Sequence, residues 1–298
     1  MPALQVLSTT PLSGKTTIAV ALARGLANDG VHVRLARVGS GEAAAEDAAT
    51  FAEYLFATAD GRPLTSVPAV PQNETAIVEL DAGAQPADKC PAIIVTGDAP
   101  SEADRTLAQT LGDSLVGSIA TDIAPAAIED VARELTNGGL RVLAVIPEDR
   151  VLASPSVGEI GTSLKARVLY PGENQREVVE DVLIGPVFLD PAGRHFRRFA
   201  AKAILAPFNK TDLHLAAIES QAACLVITGG HDPSPYVLDR AQSEATTVYL
   251  TDRDTPGTVA ALASVWTGTR FRGERKAEAA FTQLRERLDF SSLLKKLG

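Results

Sequence analysis

The sequence predicts an α/β chain of two units, the first built on a parallel sheet and the second smaller, with a helix at the C-terminal end. Three observations predict it. Short apolar runs alternate with longer stretches of helical character, the alternation breaks once near residue 148, and 298 residues with 45% hydrophobic and 22% charged content are enough to fill two cores. In the first half the apolar runs cover 4–7, 31–38, 76–80, 92–95, 115–119 and 142–146. The stretches 15–29, 46–58, 101–112 and 124–137 between them read as helices, the first and third opening after Gly or Ser in capping contexts. Alternation of this kind specifies βαβ units and a parallel sheet with helices on both faces, whose sites gather at the carboxyl ends of the strands.

The Pro, Asp and Ser residues of IPEDRVLASPSVGEI (146–160) mark a junction, which divides the chain into 1–148, 149–270 and 271–298. Beyond it lie a short helix at 156–165, an apolar run at 178–187 and strand-like segments at 202–205, 225–228 and 247–250. Helical stretches at 211–221, 234–244 and 256–266 separate them, so the second unit is again α/β. In the tail, Ala277, Phe281, Leu284 and Leu288 fall at i, i+4, i+7 and i+11. That is one face of an amphipathic helix, which either docks on its own domain or packs on a second subunit.

Composition excludes several classes. The 28 Lys and Arg are outnumbered by 37 Asp and Glu, for a net charge of −9, so nucleic acid is not expected as a partner. No apolar run approaches the ~20 residues that span a bilayer, and MPALQVLSTT lacks the positively charged start of a signal peptide. A cytoplasmic protein without membrane contact is therefore expected. Cys90 and Cys224 each open onto an apolar run and read as strand thiols rather than nucleophiles. His32, His195, His214 and His231 are scattered, and no zinc spacing is present.

The residues that carry chemistry begin with S8-T-T-P-L-S-G-K-T-T17, directly after the first strand and directly before the first helix. This is the context of a phosphate-binding loop, in which backbone amides and the positive end of the helix cradle phosphate oxygens. Thr9, Thr10, Ser13, Gly14, Lys15, Thr16 and Thr17 are the expected nucleotide-binding residues; Lys15 would reach the β- and γ-phosphates and Thr16 would face Mg²⁺. Thr9 stands where G-x-x-x-x-G-K-[ST] has its first Gly. The alternative is an ordinary Ser-capped strand-to-helix turn. Glu79 and Asp81, at the end of the buried run in TAIVELDAG (75–83), and Asp47, at the start of the second helix, are candidate Mg²⁺ ligands beside Thr16. Each could instead be a solvated carboxylate at a strand or helix end. Arg37, ending the second strand, would clamp a phosphate or carboxylate and join Lys15 in catalysis, or else pair with Glu42 or Glu46.

In the second unit, GRHFRRF (193–199) concentrates Arg194, His195, Arg197 and Arg198, either for an anionic ligand or partner or as a solvated basic face. ITGGHDPSP (227–235) places Gly229 and Gly230 between a strand and a helix, where their amides either approach a ligand or form a tight turn. His231 and Asp232 have no nucleophile linked to them.

The loop 8–17, the second strand ending in a cation, the VE-containing strand and the junction 146–160 resemble the dethiobiotin synthetase-like P-loop domain found in the N-terminal region of long bacterial phosphate acetyltransferases. VLIGPV, HFRRFAAKAILAP, TDLHLAAIESQAACLVITGGHDPSPYVLDRA and TDRDTPGTV resemble the DRTGG domain that follows in that family. The naming motif falls at 207–212, where this sequence reads PFNKTD and keeps only Asp212. The family's Lys after the second strand is Arg37 here, and its Gly after the VE glutamate is Leu80. The resemblance implies a P-loop NTPase-like domain followed by a DRTGG-like domain, with ATP or ADP and Mg²⁺ as ligands. The sequence ends where the acetyltransferase catalytic domain would begin, so acetyl transfer is not expected. Three functions follow: a regulatory or sensory nucleotide-binding protein with at most slow ATP hydrolysis, acting as a homo-oligomeric dimer or on a protein partner; an ATP-dependent ligase of dethiobiotin synthetase type acting on a small carboxylate or amine; or an interaction scaffold with a vestigial P-loop. A glutamine amidotransferase is disfavoured because Cys224 lies in an apolar run.

Overall fold

A computed structural model describes residues 3–185 and 195–297. The chain divides into one unit of Met1–Leu152 with Lys276–Gly298 and a second of Ala153–Arg275. The first unit runs β1 (Ala3–Leu7), α1 (Lys15–Asn28), β2 (Val33–Val38), α2 (Gly41–Phe51), β3 (Thr58–Ala59), β4 (Thr75–Leu80), β5 (Ala92–Thr96), α3 (Glu102–Leu111), β6 (Leu115–Ile123), α4 (Ile128–Asn137), β7 (Val142–Pro147) and the short α5 (Arg150–Ala153). Its seven strands lie in the order β3-β2-β4-β1-β5-β6-β7, and every pairing is parallel. Strands of such a sheet are covered on both faces, which is why β1, β4 and β5 are buried along their whole length. The order puts β1 at the centre between β4 and β5, so the loop after β1 opens beside both of their carboxyl ends.

The second unit contains α6 (Val157–Leu164), β8 (Arg167–Tyr170), β9 (Asp181–Ile184), β10 (Lys202–Pro207), α7 (Thr211–Glu219), β11 (Cys224–Thr228), α8 (Pro235–Ser243), β12 (Thr247–Thr251) and α9 (Thr255–Leu262). Its sheet has the order β8-β12-β11-β10-β9, with β8 antiparallel and the rest parallel. One core packs Ile204, Leu213, Ile218, Leu225, Ile227 and Val248 together, and the other face packs Val157, Ile160, Leu205, Val226 and Tyr249.

Two helices close the chain, α10 (Glu274–Arg285) and α11 (Phe290–Leu297), where one was expected. The predicted face of Ala277, Phe281, Leu284 and Leu288 is buried. Within the first unit, Arg24 of α1 pairs with Glu278, and Phe281 stands edge-on to Phe290, whose ring lies against Gly25 of α1. Helix α2 begins at Gly41, earlier than the expected 46, and ends at Phe51 rather than 58. The Gly-rich start of GSGEAAAE reads as loop, yet its Ala run and Glu42 in the first turn favour helix. Strands β3 and β8 were not expected; both are short edge strands with little apolar signal. No helix among the described residues is long and apolar enough to cross a membrane.

Candidate functional site

The loop between β1 and α1 is shaped by its own residues. Gly14 caps α1 with φ +84°, a left-handed conformation that favours glycine, and a Cβ there would crowd Thr121 Oγ1 at 3.0 Å. Thr121, on β6, donates to the Ser13 carbonyl at 2.8 Å and holds that side of the loop down. Because the cap is glycine, no side chain satisfies the first amides of α1, and its first turn carries no acidic residue. Those amides and the positive helix end face the loop without a resident anion, the arrangement that receives phosphate. Lys15 is buried and donates from Nζ to Ser8 Oγ at 2.9 Å, and Ser8 Oγ donates to the Thr10 carbonyl at 2.7 Å. Burial lowers the Lys15 pKa, an effect that the nearby Glu79 opposes. Thr17 lies in the first turn of α1, and Leu12 at the loop tip is 85% exposed with φ +55°.

The acidic side is built by strand register. Parallel pairing sets Glu79 of β4 level with Val6 of β1 and Arg37 of β2. Glu79 is 2% exposed; its Oε1 accepts from Thr16 Oγ1 at 3.2 Å and lies 3.8 Å from Arg37 Nε, while its Oε2 is buried with no hydrogen-bond partner. Burial pushes its pKa up to about 7, with Asp47 adding to the rise and Arg37, Lys15 and Thr16 opposing it. Arg37 is itself buried and donates to Asp47 Oδ2 at 3.1 Å, the Val38 carbonyl at 2.6 Å and Asp81 Oδ1 at 2.6 Å. Burial works against its charge, but Glu79, Asp81 and Asp47 outweigh that and hold its pKa above the usual value. Its partners are these three acids, not Glu42 or Glu46. Asp81 also accepts from the Ser40 amide at 3.2 Å, and Gly39 passes so close that a Cβ would meet the Asp81 carboxylate at 2.4 Å.

The fold therefore brings Lys15, Thr16, Arg37, Asp47, Glu79 and Asp81 to one sheet edge. No group of three or more His, Cys, Asp or Glu that would hold a metal ion by itself occurs among the described residues. Mg²⁺ carried by a nucleotide needs only one or two protein oxygens. Thr16 and Glu79, with its unpartnered Oε2, fit that need; Asp47 and Asp81 are engaged by Arg37.

Sequence reasoning missed Asp104. This buried carboxylate at the start of α3 accepts from Thr9 Oγ1 at 2.7 Å, Thr96 Oγ1 at 3.1 Å, and the Ser101 amide and hydroxyl at 3.0 and 2.8 Å. The capping pattern Ser101-x-x-Asp104 was the available signal, but it announces a helix start and says nothing of the loop 95 residues away.

In the second unit the amides of Gly229 and Gly230 donate to the Arg253 and Thr251 carbonyls at 2.8 and 3.0 Å, so both are engaged by the segment ending β12 rather than forming an amide cradle. The His231 ring packs on Phe208 with centroids 4.4 Å apart, and Asp232 pairs with Arg167. Arg194 lies outside the described residues; Arg197 and Arg198 are exposed on the turn Phe196–Arg198. Beside the segment 207–212, which joins β10 to α7, the buried His214 of α7 contacts the Pro207 carbonyl through Nε2 at 2.9 Å. Cys224 opens β11 with its thiol pushed up to about 12 by burial, and Cys90 lies just before β5, hydrogen-bonded to the Ala3 carbonyl at 3.2 Å. A cleft of about 470 Å³ at the amino ends of β10 to β12 is lined by Glu173, Asn174, Gln221, Glu244 and Arg275 among others.

Among solved structures the chain is similar to the CBS and DRTGG domains of the regulatory region of Clostridium perfringens pyrophosphatase, determined in complex with its activator, diadenosine tetraphosphate. The identity is 15%, over 48% of this chain and 70% of that one, with a TM-score of 0.33. The family model of the DRTGG domain matches residues 159–265, within the second unit, and the chain thus carries a DRTGG domain.

Proposed function

We propose that this chain is a nucleotide-binding regulatory protein of the cytosol, in which the first unit binds ATP or ADP with Mg²⁺ and the DRTGG domain conveys the bound state to a second copy of the chain or to a protein partner. The observation that carries the reading is the uncapped, acid-free amino end of α1 behind Gly14, with Lys15 and Thr16 beside it. Phosphate oxygens would take the amides of α1 and the Lys15 ammonium, which would leave Ser8 to reach them. Mg²⁺ between Thr16 and the phosphates would neutralise their charge. Regulation is favoured over turnover because Arg37, the cation that would steady a transferring phosphoryl group, is engaged with Asp47 and Asp81. Ligands regulate by binding one conformation better than another, which requires no chemistry.

Isothermal titration of ATP and ADP, with and without Mg²⁺, into the wild type and Lys15→Ala tests this, followed by phosphate release on the same samples. Binding weakened about 10- to 100-fold by Lys15→Ala, the loss of one charged hydrogen bond or more, with little turnover, supports the reading. No binding at millimolar nucleotide overturns it. Turnover stimulated by a small carboxylic acid or amine would replace it with the ligase.

A further inference from the structure

Thr9 occupies the position at which the phosphate-loop pattern has glycine, and the structure gives that departure a use. Its hydroxyl donates to Asp104 Oδ1 at 2.7 Å, the only contact that ties the β1–α1 loop to α3 among the hydrogen bonds of the described residues. Asp104 is well placed to hold it. The other carboxylate oxygen accepts from Thr96 at the end of β5 and from Ser101 at the start of α3, so a single buried anion is fixed by two elements before it meets the loop. Its charge is met by four donors and no cation, which leaves Lys15 unclaimed by it. On the opposite side Thr121 holds the Ser13 carbonyl. Glycine at this position would leave the backbone freer, whereas this loop is pinned at both flanks.

We infer that Asp104 is a positioning residue of the nucleotide site, fastening the phosphate-binding loop through Thr9 so that its amides are arranged before ligand arrives. The inference rests on the nucleotide reading above. It acts through the loop and touches no ligand.

The test compares two variants that each remove one hydroxyl donor from the same carboxylate. Thr9→Val cuts the link to the loop; Thr96→Val cuts only the link to β5. ADP affinity is measured by titration, and amide exchange across residues 8–17 is followed by mass spectrometry in nucleotide-free protein. Thr9→Val is expected to weaken ADP about tenfold, equivalent to ~1.4 kcal/mol, and to speed exchange of the loop. Thr9→Ser, which keeps the hydroxyl, should restore both, and Thr96→Val, which leaves the Ser101 amide and hydroxyl on the same carboxylate oxygen, should stay within about twofold of wild type in both. Equal losses in the two variants would mean that Asp104 merely supports stability, and unchanged affinity and exchange in Thr9→Val would mean no fastening; either result overturns the inference. If the wild type binds no nucleotide, the functional reading fails, and the exchange comparison alone decides whether the tether exists.

Discussion

Replacing Gly25 by alanine should destabilise the first unit, although an interior glycine usually weakens a helix by about 1 kcal/mol relative to alanine. Gly25 lies within α1 with ordinary helical backbone, so alanine would bring the propensity gain. The obstacle is the ring of Phe290 on α11. An ideal Cβ at position 25 would sit 2.1 Å from Phe290 Cε1 and 2.3 Å from Cζ, whereas carbon pairs settle at roughly 3.5 Å or more, so the ring must retreat by about 1.5 Å. Phe290 is itself 9% exposed and stands edge-on to Phe281 at 6.4 Å, so it has a packed neighbour to move against. Overpacking of this kind costs about 1–3 kcal/mol, and full expulsion would forfeit ~2–3 kcal/mol of ring burial. After the propensity gain, a net loss of about 1–2 kcal/mol remains, or roughly 3–6 °C in the transition of a unit of this size. The assay is a double-mutant cycle with Phe290→Ala, read by far-UV circular dichroism and by amide exchange of α1 and α11. Fluorescence of the single tryptophan, Trp266, which packs in the second unit, monitors that unit separately. With the ring gone, Gly25→Ala should become stabilising by about 1 kcal/mol, a reversal of sign and a coupling of ~2–3 kcal/mol. A Gly25→Ala variant more stable than wild type, or effects that add within about 0.5 kcal/mol, would refute the docking of α11 on α1.

Gly14→Ala meets the opposite constraint at the other end of α1. The left-handed backbone at φ +84° costs a non-glycine residue about 1–2 kcal/mol, and the Thr121 hydroxyl 3.0 Å away, which holds the Ser13 carbonyl, must shift to make room, so both the melting temperature and ADP affinity should fall. Glu79 gives stability a pH dependence. Its folded pKa of about 7 stands above the unfolded value of 4.5, so its contribution is full below pH 4.5 and is lost as the pH rises through 7. Urea unfolding between pH 5 and 8 should show the wild type losing about 2–3 kcal/mol relative to Glu79→Gln, which keeps the shape without the charge. Parallel profiles would show that Glu79 is ionised in the folded protein throughout that range.

Much of the architecture follows from short-range pattern. A buried parallel strand reads as an apolar run whatever its neighbours, and β1, β4, β5 and β7 lie where those runs lie. Gly-Lys-Thr-Thr at a strand-to-helix junction is equally local, since Gly14 in its left-handed conformation starts α1 with no side-chain cap. The helix start at Gly41 was hidden because glycine reads as a break, and β3 and β8 because edge strands carry weak apolar signal. Residues two apart on a strand share a face, so Glu79 and Asp81 could not be ranked from their spacing. The structure separates them: Glu79 turns inward to Thr16, and Asp81, just past the strand end, is taken by Arg37 and the Ser40 amide.

By itself, then, the amino-acid sequence determined the α/β alternation, the glycine turn between β1 and α1 and the apolar face of the C-terminal segment. Each depends on residues within a few positions of one another, where backbone geometry alone decides which side chains meet. Only the tertiary structure decided that Arg37 is held by Asp47 and Asp81, that Thr9 hangs from Asp104, and that the chain's end returns to α1. Those contacts join residues up to hundreds of positions apart, and their partners are set by which strands and helices the fold lays side by side, which no local pattern encodes.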